Sequence, residues 1–408
     1  MAKLKRTLGL AACIFFGVGS ILGAGIYTLI GKVAGLSGNF VWLSFLIASV
    51  CALFTAFSYA ELSAAFPKAG GEYVYAKRAF GKTTGLIMGF VISLNGIIVG
   101  ATVAIGFAGY LDTLIDLPVL IGALGIIGLV FLINAVGIKQ SSLINIIFTL
   151  IEGGGLLLVI FFAIPYIGEA NLFEPPPGGY NDILAAGALA FFAYVGFEEI
   201  VKLAEETNEP EKNIPRALFS AAVIVIVMYT FVAICAVSVL SYEKLGESES
   251  PLAAVLGETL GPNGVIIISI IALFATSNTL LSNMIGSSRV LFNMSKETKL
   301  LKPFSYVSPK RETPIAALIL VALIVCAFAF IKDIETIARI ATIFIFIAFI
   351  LVNLSVIVLR IREKNLKRPY RIPLNINNIP VMSILGILMT VFLLGYTIYA
   401  LFEKDVTV

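Results

Sequence analysis

The sequence predicts an all-α polytopic membrane protein, with eleven transmembrane helices arranged as five, five and one. Three observations carry that expectation. Of 408 residues, 59% are hydrophobic and only 13% charged, against about 25% charged and 45–50% apolar in soluble domains. Eleven separate runs approach the roughly 20 mostly apolar residues that cross a bilayer core. The basic residues, finally, fall on alternate sides of those runs. A mean hydropathy of +1.01 cannot supply a water-exposed surface, which excludes a soluble enzyme or a nucleic-acid binder.

The runs lie at about 9–33, 40–64, 84–111, 118–138, 142–167, 183–203, 215–240, 263–291, 314–331, 334–359 and 379–402. Linkers are short, so residues 1–408 read as one transmembrane domain. Its first block covers 9–167, its second 183–359, and an additional helix 379–402. The first run is glycine-broken and lacks an A-x-A-like cleavage site, unlike a removable signal peptide. Alternating the spans leaves Lys32, Lys244, Lys332, Arg339 and Lys404 on one side and the other 23 of 28 basic residues opposite. The positive-inside rule then places the N-terminus in the cytoplasm. An odd span count places the C-terminus outside a multi-pass cell membrane protein. Arg339 is expected to snorkel to the headgroups or line the outer vestibule.

There is no histidine, which removes His-based metal sites, nucleophile pairs and pH switches. Cys13, Cys51, Cys235 and Cys326 each sit in an apolar run without CxxC spacing, as small core residues. No metal and no cofactor beyond a coupling ion is expected.

The first run contains Gly17-Val-Gly-Ser-Ile-Leu-Gly-Ala-Gly25. Each glycine costs a helix interior about 1 kcal/mol relative to alanine. Close helix packing through Gly19 and Gly23 is one reading; an unwound mid-membrane segment is the other. The sixth run, with Gly187-Ala-Leu-Ala-Phe-Phe-Ala-Tyr-Val-Gly-Phe-Glu-Glu199, favours the second. These runs open successive five-helix blocks, and broken helices at matching positions point to a transporter's substrate site. Irregular backbone survives at that depth only where it lines a cavity or is buried in protein. A half-helix N-terminus offers free N–H groups to a carboxylate. Freed carbonyls suit an ammonium group or a monovalent cation. Together they select a zwitterion, and amino acids are the matching substrate class.

At these residues the chain resembles amino acid permeases of the amino acid–polyamine–organocation (APC) superfamily. The match includes the glycine-rich segment through Tyr27, and Tyr59-Ala-Glu-Leu-Ser-Ala-Ala-Phe-Pro-Lys-Ala-Gly-Gly-Glu-Tyr-Val-Tyr75. It continues at Phe191-Phe-Ala-Tyr-Val-Gly-Phe-Glu198, Ala204-Glu-Glu-Thr-Asn-Glu-Pro210 and Asn213-Ile-Pro-Arg216, and more weakly at Ser287-Ser-Arg-Val-Leu291. The resemblance implies the LeuT-like five-plus-five inverted repeat with discontinuous helices 1 and 6. Family members commonly have twelve helices, whereas this chain has room for eleven.

Position by position, the resemblance puts Ile21, Gly23, Ala24, Gly25 and Ile26 near the substrate's carboxylate and amine. It gives the carbonyls of Phe192, Ala193, Tyr194 and Val195 to the ammonium group, with gating aromatics at Phe192 and Tyr194. Ordinary core or lipid packing is the plainer reading of those two rings. Glu152 is the second departure: proton-coupled relatives hold a lysine at the similar position, in the place of a sodium ion. An acid near the centre of a span costs about 2.5–3.5 kcal/mol on insertion scales, which argues for a function. Charged, Glu152 would complete a cation site with the carbonyls of Gly19 and Leu22 and the hydroxyls of Thr276 and Ser277. Neutral, it would carry the proton itself, since desolvation favours the uncharged form.

Lys77, Arg78 and Lys82 are expected either to pair with Glu205, Glu206, Glu209 and Glu211 as an inner gate, or to be solvated loop charges. The resemblance thus implies a secondary active transporter, taking up amino acids across the cytoplasmic membrane by alternating access. Proton-coupled symport is favoured over sodium symport or amino acid/polyamine exchange, because the related position is titratable. A passive channel ranks last, since it favours repeated filters or rings of charge. An enzyme would need convergent catalytic groups, and Glu152, Glu198 and Glu199 serve ion coupling more naturally. The expected partners are a small-molecule amino acid and the lipid bilayer, not nucleic acid; nothing in the sequence specifies an oligomeric state.

Overall fold

The computed structural model describes residues 6–406 except 116, 249, 297, 310 and 331–333. The first half runs α1 (Leu10–Ser37), α2 (Val41–Ala65), α3 (Glu72–Phe80), α4 (Lys82–Ile115), α5 (Val119–Val136) and α6 (Ile138–Ala163). Then come α7 (Asn181–Phe191), with 3-10 turns at Phe192–Tyr194 and Phe197–Leu203, α8 (Pro210–Val239), α9 (Tyr242–Glu247) and α10 (Pro251–Leu260). The chain ends with α11 (Pro262–Ser295), α12 (Ile315–Ala329), α13 (Ile334–Arg362), the hairpin β1 (Asn375–Ile376)–β2 (Ile379–Pro380), and α14 (Val381–Val406). Proline opens α8, α10 and α11. Its missing N–H has no intrahelical partner at a first turn anyway.

The protein is a mostly helical, multi-pass membrane protein. Among the described residues, nine stretches are long and apolar enough to cross a membrane. The expected ninth run is a helix of only 15 residues, rising about 22 Å at 1.5 Å per residue. The expected eleventh has an apolar stretch of similar length, Val381–Gly395. Both fall short of the count by length, although helices occupy all eleven expected runs.

One large core holds α1 against α6, α7, α8 and α11, while α4 lies along α11. α6 shows how the sequence sets this up. Leu143, Leu150 and Leu157 recur every seventh residue on an exposed apolar stripe, while Asn145, Thr149 and Glu152 are buried. That is the 3.6-residue period of a helix with one outward and one inward face.

Both expected discontinuities are present. α1 leaves helical geometry at Gly23 (φ −14°, ψ −159°). α7 passes into the first 3-10 turn, then extended backbone at Val195 and a left-handed residue at Gly196 (φ 127°). The helices α3, α9 and α10 and the hairpin were not foreseen, because a search for long apolar runs passes over short polar elements. The hairpin turns at Asn377 and Asn378 (φ 50° and 69°), a conformation asparagine tolerates well.

Candidate functional site

The two breaks are built against each other. A Cβ on Gly196 would stand 2.3 Å from the carbonyl oxygen of Ser20. One on Gly25 would stand 2.9 Å from the Ala193 Cα. Only glycine permits such close backbone approach, and Gly196 also needs its positive φ. Freed backbone groups in an apolar interior are costly unless paired. Tyr229 of α8 pairs two of them, its hydroxyl donating to Ile21 O at 2.8 Å and Ala193 O at 3.2 Å. The Gly196 N–H donates to Glu198 Oε2 at 2.9 Å.

Beside the crossing lies a cavity of about 330 Å³. Ile21, Gly23, Gly25, Phe192, Ala193, Val195 and Gly196 form one wall. Asn95 and Thr102 of α4 and Thr276, Thr279 and Asn283 of α11 line another. Glu198 is the one acidic or basic residue among the lining residues. Electrostatically the site suits a polar molecule of low net charge, with room for one ammonium near Glu198.

Of the residues expected to hold substrate, Ile26 and Tyr194 do not line this cavity. Ile26 is fully buried. Tyr194 packs its ring on Tyr229 (centroids 5.2 Å) and, edge-on, on Phe45 (6.4 Å). Only Phe192 of the two expected gating aromatics faces the cavity. Two of the four carbonyls assigned to the ammonium are already engaged. Ala193 O receives Tyr229, and Phe192 O receives the Val195 N–H at 3.2 Å. The side chains of Ala24 and Arg339 lie outside the described residues.

Glu152 is fully buried on α6, behind α1 rather than in the cavity. Its Oε1 accepts from Asn278 Nδ2 at 2.8 Å, and that nitrogen also donates to Thr149 Oγ1 at 3.0 Å. Asn145 Nδ2 in turn donates to Asn278 Oδ1 at 2.6 Å. Glu152 Oε2 has no hydrogen-bond partner among the described residues. Gly19 lies beside the group, since a Cβ there would stand 3.1 Å from Glu152 Oε1. Leu22 packs beside Gly153. Thr276 and Ser277 require correction: Asn278 meets Glu152 instead. Thr276 stands two residues away, about 200° around the helix, and faces the cavity. Both hydroxyls donate to carbonyls of their own helix, Thr276 to Ala272 at 2.8 Å and Ser277 to Leu273 at 2.7 Å.

Near α3, Arg78 takes none of the four carboxylates named as its possible partners. Arg78 pairs with Glu363 (2.7 Å), Glu205 with Lys296 (3.3 Å), and Glu209 with Lys212 (2.9 Å). Glu206 holds the buried Arg289 with both oxygens, at 3.0 and 3.2 Å. A further buried pair, Glu61 with Arg360, was not foreseen.

Sequence reasoning also missed Asn95, Thr102, Thr279, Asn283, Asn278 and Tyr229. A signal existed for most of them. Asn95 and Thr102 are spaced i, i+7, and Thr276, Thr279 and Asn283 i, i+3, i+7, as polar stripes on apolar spans. Asn145, Thr149 and Glu152 form a third stripe. Tyr229 carried no such signal.

Two helices broken around a shared cavity in a multi-pass membrane protein define a transporter. A family model described as amino acid permease matches residues 8–406, and the chain belongs to that family. It is 28% identical to the branched-chain amino acid permease BcaP of Bacillus subtilis, over 96% of this chain and 88% of the relative. It is 29% identical to the methylthioribose transporter of the same organism, over 94% and 87%. A vacuolar cationic amino acid transporter 4 of Arabidopsis thaliana is 28% identical, over 88% of this chain but 64% of its own length. These relatives are named as permeases and transporters, and the protein is a transporter rather than an enzyme.

Proposed function

We propose that the protein is a secondary active amino acid transporter working by alternating access, with proton-coupled symport as its mode. The cavity between the two breaks carries this reading. It exposes non-helical backbone at Gly23, Val195 and Gly196, which the carboxylate and ammonium of an amino acid would meet. The proposal includes eleven spans in a five-plus-five inverted repeat, with α12 and α14 crossing despite their short apolar stretches. The N-terminus lies in the cytoplasm and the C-terminus outside.

Glu152 is the proposed coupling group. Its neighbours are amide, hydroxyl and backbone groups, with no cation paired to it among the described residues. A residue that is neutral in one state and charged in another lets a proton gradient bias the two states. In proteoliposomes, a proton gradient is expected to drive accumulation and a sodium gradient to have no effect. Glu152→Gln should keep counterflow but lose gradient-driven accumulation. Wild-type accumulation by that variant removes Glu152 from coupling, and a sodium requirement replaces the proton with a cation. For orientation, Ser248→Cys should react with an impermeant thiol reagent from outside intact cells and Ser305→Cys should not.

For the substrate, the mostly uncharged wall supports neutral amino acids, such as those the branched-chain relative is named for. A second reading has a specific observation behind it. Glu198 is a carboxylate on the wall, and one relative is named for cationic amino acids. Thermal-shift measurements with leucine, lysine and arginine separate the two. If lysine or arginine stabilises the wild type but not Glu198→Gln, the cationic reading stands.

A further inference from the structure

The connection from α13 to α14 has two features that neither the cavity nor Glu152 accounts for. Between residues 360 and 371 the sequence holds six basic side chains, Arg360, Arg362, Lys364, Lys367, Arg368 and Arg371, against one acid, Glu363. Just beyond them stand two bare aliphatic side chains. Leu374 is 64% exposed and Ile376, in β1, is 68% exposed.

This connection is fastened at a definite level. The apolar span within α13 ends at Arg362. Two residues earlier, buried Arg360 donates to Asn375 Oδ1 and to Asn378 O (3.3 Å), and Asn378 Nδ2 donates back to Arg360 O at 3.1 Å. Glu61, near the end of α2, accepts from Arg360 Nε at 2.8 Å and from the Ile372 N–H at 2.9 Å, and pairs with Arg368 at 3.2 Å. The hairpin is therefore tied to the ends of two apolar helices, where hydrocarbon gives way to headgroups. Asn375 turns to Arg360, and neighbours along a strand point to opposite sides, so Ile376 faces away from the bundle.

The basic side chains divide into two groups. Arg360 and Arg368 are held by Glu61, and Arg362 donates to Ala79 O at 2.9 Å. Glu363 is taken by Arg78. Lys364, Lys367 and Arg371 are exposed, and Arg371 also steadies the hairpin by donating to Asn378 Oδ1 at 2.7 Å. Three exposed cations thus flank two exposed aliphatics. A second copy of this face would bring like charges together, which opposes association. An anionic leaflet suits both features: basic residues beside a span attract its headgroups, and aliphatic side chains gain by leaving water at the acyl boundary.

We propose that residues 363–380 are a docking surface for an anionic lipid leaflet. Leu374 and Ile376 seat at the headgroup–acyl boundary, and Lys364, Lys367 and Arg371 meet lipid phosphates. The surface is independent of what the protein carries; only its assignment to the cytoplasmic leaflet rests on the proposed orientation.

A nitroxide attached at Ile376→Cys in the full-length protein tests the seating. Cys13, Cys51 and Cys235 are buried, and wild-type protein taken through the same labelling corrects for Cys326. The labelled protein is placed in nanodiscs of phosphatidylcholine with or without phosphatidylglycerol, and power saturation compares collisions with oxygen and with a water-soluble nickel chelate. With phosphatidylglycerol, oxygen is expected to win at least several-fold. Dominant nickel collisions there put the hairpin in water and overturn the proposal. Low collision with both means that protein covers the site, which overturns it in favour of a second copy. Equal seating in phosphatidylcholine alone removes the anionic headgroup and overturns it too.

Melting temperature supplies a readout that needs no label. Phosphatidylglycerol should raise it in the wild type. The double variant Lys364→Gln, Lys367→Gln should match wild type in phosphatidylcholine and lose most of that rise. An undiminished rise overturns the part given to the lysines. Inorganic phosphate added to phosphatidylcholine nanodiscs should leave the wild type unchanged. A rise equal to that from phosphatidylglycerol would make the ligand free phosphate and overturn the leaflet.

Discussion

The two broken helices reach the same cavity by different means. In α1 the departure is one residue, Gly23, and helix resumes on either side. In α7 it runs through a 3-10 turn, an extended Val195 and a left-handed Gly196, after which the chain stays 3-10 to Leu203. What each glycine faces also differs. A Cβ on Gly23 would meet a side-chain hydroxyl, Thr279 Oγ1, at 1.9 Å; one on Gly196 would meet the Ser20 backbone at 2.3 Å. A side chain can be trimmed and a carbonyl cannot. The α1 break is therefore adjustable by mutation, whereas the α7 break is dictated by the main chain of its neighbour.

The largest effect is expected where the comparison is starkest. Gly196→Val combines a left-handed backbone, worth about 1–3 kcal/mol of strain, with the clash on Ser20. Uptake should vanish and the melting temperature should fall. Wild-type uptake in that variant would show that the α7 break is free to move.

Gly23→Ala should lower uptake less, and Thr279→Ala in the same molecule should restore most of it. A double mutant no better than the single one would show that the obstacle at Gly23 is not the Thr279 hydroxyl. The same rescue has no counterpart at Gly196.

The smallest effect of the three belongs to Tyr229→Phe. It leaves Ile21 O and Ala193 O without their shared donor, at about 1–3 kcal/mol for an unsatisfied buried group. Lower thermal stability with a modest loss of uptake is expected. Equal stability to wild type would mean that water or substrate serves those carbonyls instead.

Much of the site was legible because its cause is local. Gly17 to Gly25 and Gly187 to Gly196 announce their breaks through residues that helices avoid, wherever the rest of the chain lies. Glu152 announces itself in the same way, as an acid in an apolar span. Its partner did not. Thr276, Ser277 and Asn278 are neighbours in sequence, and the rotation of α11 against α6 decides which one meets the carboxyl. The partner of Arg78 was hidden for the same reason. Arg78 finds Glu363, 285 residues away, and no local pattern encodes that distance.

The sequence by itself determined that this chain lives in a membrane, where its apolar helices lie and where two of them break. Hydrophobicity and helix propensity act residue by residue or over one helical turn, so they can be read in order. Only the tertiary structure decided that Tyr229 bridges both breaks, that Tyr194 turns from the cavity to pack on Tyr229 and Phe45, and that Glu206 holds the buried Arg289. Those outcomes depend on how helices rotate and cross, and that is set by side chains from several spans packing at once.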